Sequence, residues 1–482
     1  MVEHLDVLVV GAGLSGIGAA VHLKQRCPNK TFAILEGRES SGGTWDLFRY
    51  PGIRSDSDMY TLGYSFKPWR GEKAITDGES ILNYIRDTAH EYGVDALIRY
   101  RHRVVNASWS SDAARWTLDI SHGDGEPRSE LSCSFLYSCS GYYEYSEGYT
   151  PELKGRDRFQ GRIVHPQKWT PDIDYANKRV VLIGSGATAM TLVPELAKKA
   201  AHVTMLQRSP TYVISRPSKD AIGTALRKTL PAQLAYDITR WKNVLLTMGF
   251  YQLSRRRPKQ VKRGLIRQVK KQVGPDFDVR KHFTPTYNPW DQRLCAITEG
   301  DLFTGIRDGS ISIVTDHIDT FTEKGILLKS GQELEADLIV TATGLNMTFM
   351  GSVKLVVDGI PVNVHETLNY KGMMMSDVPN LVCAFGYINA SWTLKADLTA
   401  EYTCRLLNHM DRVNAKQCTP RLVDPTVTPE ALSEFAPGYI QRALPNLPQQ
   451  GTKLPWKLFQ NYLLDIFLLR MGKVDDGTLQ IR

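Results

Sequence analysis

The chain has 482 residues, 42% hydrophobic and 23% charged, and at roughly 150 residues per domain that predicts about three domains or one large two-lobed enzyme. The balance excludes collagen-like, disordered and disulfide-scaffold chains. The net charge of +8 is local: nine Lys and Arg and no acid fall within residues 254–275, so the rest of the chain is nearly neutral.

At the N-terminus, LDVLVV (residues 5–10) is an apolar run that ends in GAGLSG, and TFAILE follows with Glu36 at its end. This reads as strand, glycine-rich turn, helix and second strand. Gly11 permits the tight turn, Gly13 lets the backbone approach a pyrophosphate, and Gly16 lets the helix pack closely, with Ser15 among the turn residues at the helix start. Glu36 can accept both ribose hydroxyls of an adenosine and would repel a 2′-phosphate. The uncharged stretch 7–21 has four glycines and no Lys or Arg before it. It therefore lacks the basic flank of a secretory signal and is too short to span a bilayer, and a cytoplasmic chain is expected.

The pattern repeats at RVVLI (residues 179–183), which leads into GSGATA, with Gly184, Gly186 and Ala189 in the three key positions and Ser185, Ala187 and Thr188 between them. HVTMLQR follows and ends in Gln207 and Arg208. An amide followed by a cation suits a 2′-phosphate, so this second site is expected to prefer NADPH. Ser209 and Thr211 could add hydroxyl donors. One unphosphorylated and one phosphorylated ribose site mean FAD first and NADPH second. FLYSCSGYY, with Ser140 and Gly141, and DLIVTATG, with Ala342, Thr343 and Gly344, look like the places where the chain crosses between the two nucleotide domains.

Through the basic segment 254–275, Val261, Leu265, Val269 and Val273 recur every four residues, and Trp241, Leu245, Leu246 and Phe250 lie just before it. Two readings stay open: a peripheral membrane contact, or a solvated face on an inserted helical subdomain. No aromatic residue interrupts the basic run, so no nucleic acid partner is expected. Seven cysteines (27, 133, 139, 295, 383, 404 and 418) form no CxxC pair, which argues against zinc and against a redox disulfide and favours reduced, buried thiols. No metal is expected.

GGTWDLFRYPGIRSD (residues 42–56) and FQGRIVHPQKW (residues 159–169) resemble the fingerprints of the type I Baeyer-Villiger monooxygenases. The second matches through Phe159, Gly161, His165 and Trp169; the related flavin-containing monooxygenases usually carry Tyr or Phe at the last position, so Trp169 points to the Baeyer-Villiger branch. The resemblance covers nearly the whole chain, including RKHFTPTYNPWDQRLC and GYINASWTLKADL. It implies FAD, NADPH and O2, and a ketone or organosulfur substrate such as a thioamide or thioether, oxygenated through a C4a-peroxyflavin. Arg293 falls where the family places its active-site arginine, whose fixed charge would preserve the peroxide anion. Asp56 matches an acid near flavin and arginine. By the same correspondence Thr44, Trp45, Asp46 and Leu47 contact FAD, Arg54 and Ser55 approach the nicotinamide half of NADPH, and the Val104 backbone meets the flavin's adenine. His165 and Trp169 are assigned to coupling domain movement with cofactor binding.

The expected fold is α/β, with two Rossmann-like dinucleotide-binding domains and a helical insertion. An FAD domain spans 1–145 and 345–482, interrupted by an NADPH domain at 146–344 with the insert at about 222–285. Leu458, Tyr462, Ile466 and Leu469, at helical spacing near the C-terminus, are expected in the core. Two other functions remain open: a membrane-associated FAD-dependent NAD(P)H:quinone reductase, and a non-catalytic flavin-binding sensor. Neither the natural substrate nor the oligomeric state is readable from the residues.

Overall fold

A computed structural model describes residues 2–292, 294–432 and 437–482. Its α/β architecture rests on two parallel-centred sheets. In the first, the strand Glu3–Val10 is flanked in parallel by Phe32–Leu35 and Ser129–Ser138. Val7, Leu8 and Val9 have no exposed surface because both faces of this central strand are covered, which is why its sequence is apolar without alternation. Val7 and Val9 join one apolar cluster with Ile17 and Val21 of the helix Leu14–Arg26, whereas Leu8 points the other way, to Trp116 and Leu118. The strand Leu381–Cys383 pairs in parallel with Ser129–Ser138, so the C-terminal part of the chain returns to the sheet that the N-terminal part began.

The second sheet has five parallel strands, in the order Ile311–Thr315, His202–Gln207, Arg179–Ile183, Leu338–Thr341 and Arg162–Val164. Between the two sheets the chain crosses out at Tyr143–Gly148 and back at Leu345–Met347, and these two segments pair with each other in antiparallel fashion.

Four helices, Ala221–Thr229, Ala232–Arg256, Pro258–Val273 and Val279–Phe283, form the insertion. Within the basic helix Pro258–Val273, the repeat Val261, Leu265, Val269 and Val273 is buried. Val269 and Val273 pack into the core of the second sheet, and Val261 and Leu265 pack against Tyr212. At about 1.5–3 kcal/mol for each large apolar side chain removed from water, this inward packing uses the stripe in the protein's own core. The stripe is therefore not the membrane face that its amphipathic pattern allowed. The long helix Ala232–Arg256 leans on the first domain instead: the Arg240 guanidinium, 5% exposed, donates to the carbonyls of Tyr60 (2.8 Å) and Gly63 (2.7 Å), and Asn243 Nδ2 donates to Asp58 Oδ1 at 2.9 Å.

All seven cysteines are buried. Near the C-terminus the helix Tyr462–Ile466 runs on into a wider turn at Phe467–Met471, which buries Tyr462 and Leu469 and leaves Leu458 and Ile466 half-buried. Among the described residues, no helix is long and apolar enough to cross a membrane.

Candidate functional site

Both glycine turns open into one cavity of ≈ 1390 Å³, larger than the roughly 300–1,000 Å³ of a single small-ligand site. From the first turn and its surroundings, Gly11, Gly13, Ser15, Glu36, Thr44, Trp45, Leu47, Arg54, Ser55, Asp56 and Val104 line it. From the second, Ser185, Gly186, Ala187 and Thr188 line it, together with Ser209 and Thr211.

The glycines divide by what a side chain would meet. Gly11 has φ of +103°, and a Cβ there would lie 2.6 Å from the Cys139 carbonyl oxygen, so the turn requires glycine. At Gly16 a Cβ would come within 1.8 Å of the Gly11 oxygen; this residue packs the helix onto its own turn and does not face the cavity. Gly184, with φ of +134°, is held against the Ala342 oxygen in the same way, and Ala189 has no exposed surface. A Cβ on Gly186, in contrast, would meet nothing within 4 Å. Both helices start at a glycine with no side-chain cap and no acid in the first turn, so their first amides are free for an anion, which the helix dipole favours.

Glu36, just past the strand Phe32–Leu35, is 6% exposed. Its Oε2 accepts from the Ala12 amide at 2.9 Å and its Oε1 from the Arg38 amide at 3.0 Å. Burial pushes its pKa above the ordinary carboxylate value, against those two amides and the Arg38 charge. Each oxygen keeps a lone pair for a ribose hydroxyl. The open helix starts, the room around Gly186 and this oriented carboxylate fit two dinucleotides.

Two expected cofactor contacts are corrected. Asp46 does not line the cavity. Its side chain is 2% exposed and its carboxylate accepts from Arg38 (2.7 Å), Arg49 (2.6 Å) and Arg86 (2.8 Å). Burial opposes its ionisation, but the Ser40 hydroxyl and the Arg38 and Arg49 guanidiniums outweigh burial and hold the carboxyl below its usual range. Through Arg38, which does line the cavity, Asp46 positions the wall without being part of it. Gln207 is likewise turned inward: it is 1% exposed, and its Nε2 donates to the His282 carbonyl at 2.8 Å and to Thr315 Oγ1 at 2.9 Å. Arg208 is exposed at the end of the same strand.

Arg54 Nη1 donates to Asp301 Oδ2 at 2.8 Å, which ties the first fingerprint to the helix Asp301–Asp308 next to the second sheet. Ser55 is buried, and its hydroxyl accepts from the Ser57 amide at 3.0 Å. Val104, 4% exposed, sits where its strand loses regular pairing. Arg293 lies outside the described residues.

The second fingerprint lies on the crossings and not in the cavity. His165 Nδ1 accepts from the Gln167 amide at 3.2 Å, so its Nε2 carries the proton donated to the Gly344 carbonyl at 3.0 Å. Gln167 Nε2 donates to the Glu144 carbonyl at 2.8 Å. One short segment thus holds both crossings. Burial keeps the His165 pKa below its ordinary value, against the Gly344 acceptor, so the ring is neutral there. A Cβ on Gly161 would lie 2.7 Å from the Asp337 carbonyl oxygen, Phe159 packs under the second sheet, and Trp169 joins its core.

The residue-by-residue reading missed the aromatic wall. Trp392 Nε1 donates to the Ser15 hydroxyl at 2.7 Å, and its ring stacks on Tyr142 at 4.9 Å. The signal was an aromatic residue in the SWTLKADL segment that opens the long helix Trp392–Arg412.

The comparisons with known proteins give the chain's family and fold. Residues 73–417 match the flavin-binding monooxygenase-like family, and residues 9–68 match an NAD(P)-binding Rossmann-like domain. The chain belongs to the flavin-binding monooxygenase-like family. It is 53% identical over 482 residues to the FAD-containing monooxygenase EthA of Mycobacterium tuberculosis, across 100% of this chain and 98% of that one. Its fold matches a steroid monooxygenase with a TM-score of 0.77 at 21% identity, covering 99% of each chain, and a cyclohexanone monooxygenase with a TM-score of 0.76 at 18% identity, covering 100% of each. This flavin-dependent monooxygenase therefore carries the two-nucleotide fold that its paired glycine turns predict.

Proposed function

We propose that this chain is an FAD- and NADPH-dependent Baeyer-Villiger monooxygenase that inserts one atom of dioxygen into ketones and also oxygenates thioether or thioamide sulfur. The observation that carries the reading is the opening of both dinucleotide turns into a single cavity, which lets one cofactor reduce the other. Two proteins of this fold support it, the steroid monooxygenase bound to NADP and the cyclohexanone monooxygenase bound to epsilon-caprolactone, a lactone.

Bound FAD, once reduced by NADPH, supplies activation of dioxygen. The chain's own residues do the rest. Glu36 holds the adenosine ribose of the first nucleotide, and the open helix starts after Gly13 and Gly186 hold the two pyrophosphates. Arg208 meets the 2′-phosphate of the second. Thr44, Trp45 and Leu47 shape the flavin side of the cavity, and Arg54 and Ser55 the nicotinamide side. Arg293 supplies a permanent positive charge where negative charge develops on oxygen, and Asp56 orients it. The FAD domain comprises 1–145 and 345–482, and the NADPH domain 146–344.

The test follows NADPH and O2 consumption with and without a ketone and weighs the product. One added oxygen in an ester or lactone is expected, and Arg293→Ala should keep NADPH oxidation while losing the ester. Ester made at the parent rate by Arg293→Ala would overturn the arginine's role. Reduction of a quinone with no oxygen incorporated would overturn the monooxygenation of ketones.

A further inference from the structure

The long insert helix Ala232–Arg256 carries an apolar face that the fold leaves bare. Leu234, Ile238, Trp241 and Leu245 are 47%, 42%, 41% and 53% exposed, and their spacings of four, three and four residues put them in one stripe. The Trp241 ring packs on Tyr462 at 5.9 Å, which joins this stripe to the C-terminal helical segment, where Phe467 and Met471 are 60% and 70% exposed. Isolated exposed apolar residues are ordinary, but a continuous patch on two elements marks an interaction surface. The patch leads to the cavity: Leu246 and Phe459 are 64% and 50% exposed, and they line the cavity together with Tyr462.

Charge identifies the occupant. Residues 238–275 hold eleven Lys and Arg and no acid. Arg240 is buried and Lys242 pairs with Asp220, while Arg256, Arg263 and Arg267 remain exposed. A second copy of the chain seated on this patch by two-fold symmetry would set the same surface against itself, base against base. An anionic bilayer offers acyl chains to the stripe and phosphates to the basic helix. We propose that this patch seats the mouth of the cavity on an anionic lipid surface, so that apolar substrates enter from the bilayer. The delivery step rests on the oxygenation proposed for the cavity; the docking does not.

The test is flotation of the FAD-loaded enzyme with vesicles of phosphatidylcholine alone and with added phosphatidylglycerol. Binding should rise with phosphatidylglycerol and fall with salt. Leu245→Ser with Phe467→Ser, and separately Arg256→Gln with Arg263→Gln and Arg267→Gln, should each lower the partition coefficient about tenfold and leave turnover of a water-soluble ketone unchanged. No preference for phosphatidylglycerol, or variants that float like the parent, would overturn the docking. So would a dimer, seen by light scattering, that Leu245→Ser with Phe467→Ser dissolves while flotation is unaltered. Vesicle binding by an enzyme that oxygenates no ketone would overturn the delivery step and the proposed function and leave the docking in place.

Discussion

Substituting Gly186 by Ala tests whether the space in front of the second turn belongs to a ligand. The backbone there has φ −81° and ψ −175°, which alanine accepts, and the new methyl meets nothing within 4 Å. The protein alone should therefore tolerate Gly186→Ala, with a gain of about 0.4–1 kcal/mol from the stiffer unfolded chain. A pyrophosphate lying against that Cα would be displaced by the methyl. It would then lose part of a helix-start interaction worth up to about 2 kcal/mol, where 1.4 kcal/mol is tenfold in affinity. The expected result is a KM for NADPH raised on the order of tenfold, with flavin content and melting temperature preserved. Gly16→Ala is the contrast: its Cβ would lie 1.8 Å from the Gly11 oxygen, so the first helix must shift by about 1 Å or more to reach a tolerable contact, and flavin should be lost. Steady-state kinetics, the flavin absorbance ratio and a thermal melt read all three quantities. An unchanged KM for NADPH in Gly186→Ala would refute the assignment of that space, and a melting temperature lowered by several degrees, on the order of 1 kcal/mol or more, would show that the protein itself fills it.

Three further outcomes are expected. Arg208→Ala should lower the NADPH-over-NADH ratio of kcat/KM about tenfold with kcat retained, and a parent enzyme that uses NADH equally well would remove the assignment. Asp46→Asn should cost about 1–3 kcal/mol in a urea melt, because three partly exposed arginines lose a buried carboxylate, and should weaken flavin retention through Arg38; flavin titration equal to the parent would refute the link. For His165, burial depresses the folded pKa, so its contribution is present above the unfolded value of about 6.5 and is lost as pH falls through the folded value. The stability gap between the parent and His165→Leu should therefore narrow on acidification, and a gap constant with pH would contradict the neutral ring.

What the sequence could and could not carry follows from the range of each interaction. The glycine turns were legible because spacing alone encodes a backbone path: Gly11 and Gly16 meet within one turn and its helix. The inward orientation of Asp46 and Gln207 was not, since it depends on Arg86, His282 and Thr315, distant in the chain. The same reason hid Trp392, whose partner Ser15 is 377 positions away. The valine and leucine repeat of the basic helix showed its amphipathic face correctly but not which partner that face would meet. The second sheet's core and Tyr212, formed by other segments, decide that.

The insertion and the crossings together explain how one cavity can serve two nucleotides. The long helix Ala232–Arg256 is fixed to the first domain by Arg240 and Asn243, while the helix that follows it directly, Pro258–Val273, is fixed to the second by Val269 and Val273. The connection between them is Arg257. His165 and Gln167 hold both crossing segments by backbone carbonyls. A change in the angle between the two sheets would strain the bonds at Gly344 and Glu144. We propose that the second fingerprint, whose His165 lines no part of the cavity, acts on chemistry through domain position; substitutions there should then change kcat and KM together, whereas those at Gly186 change KM alone.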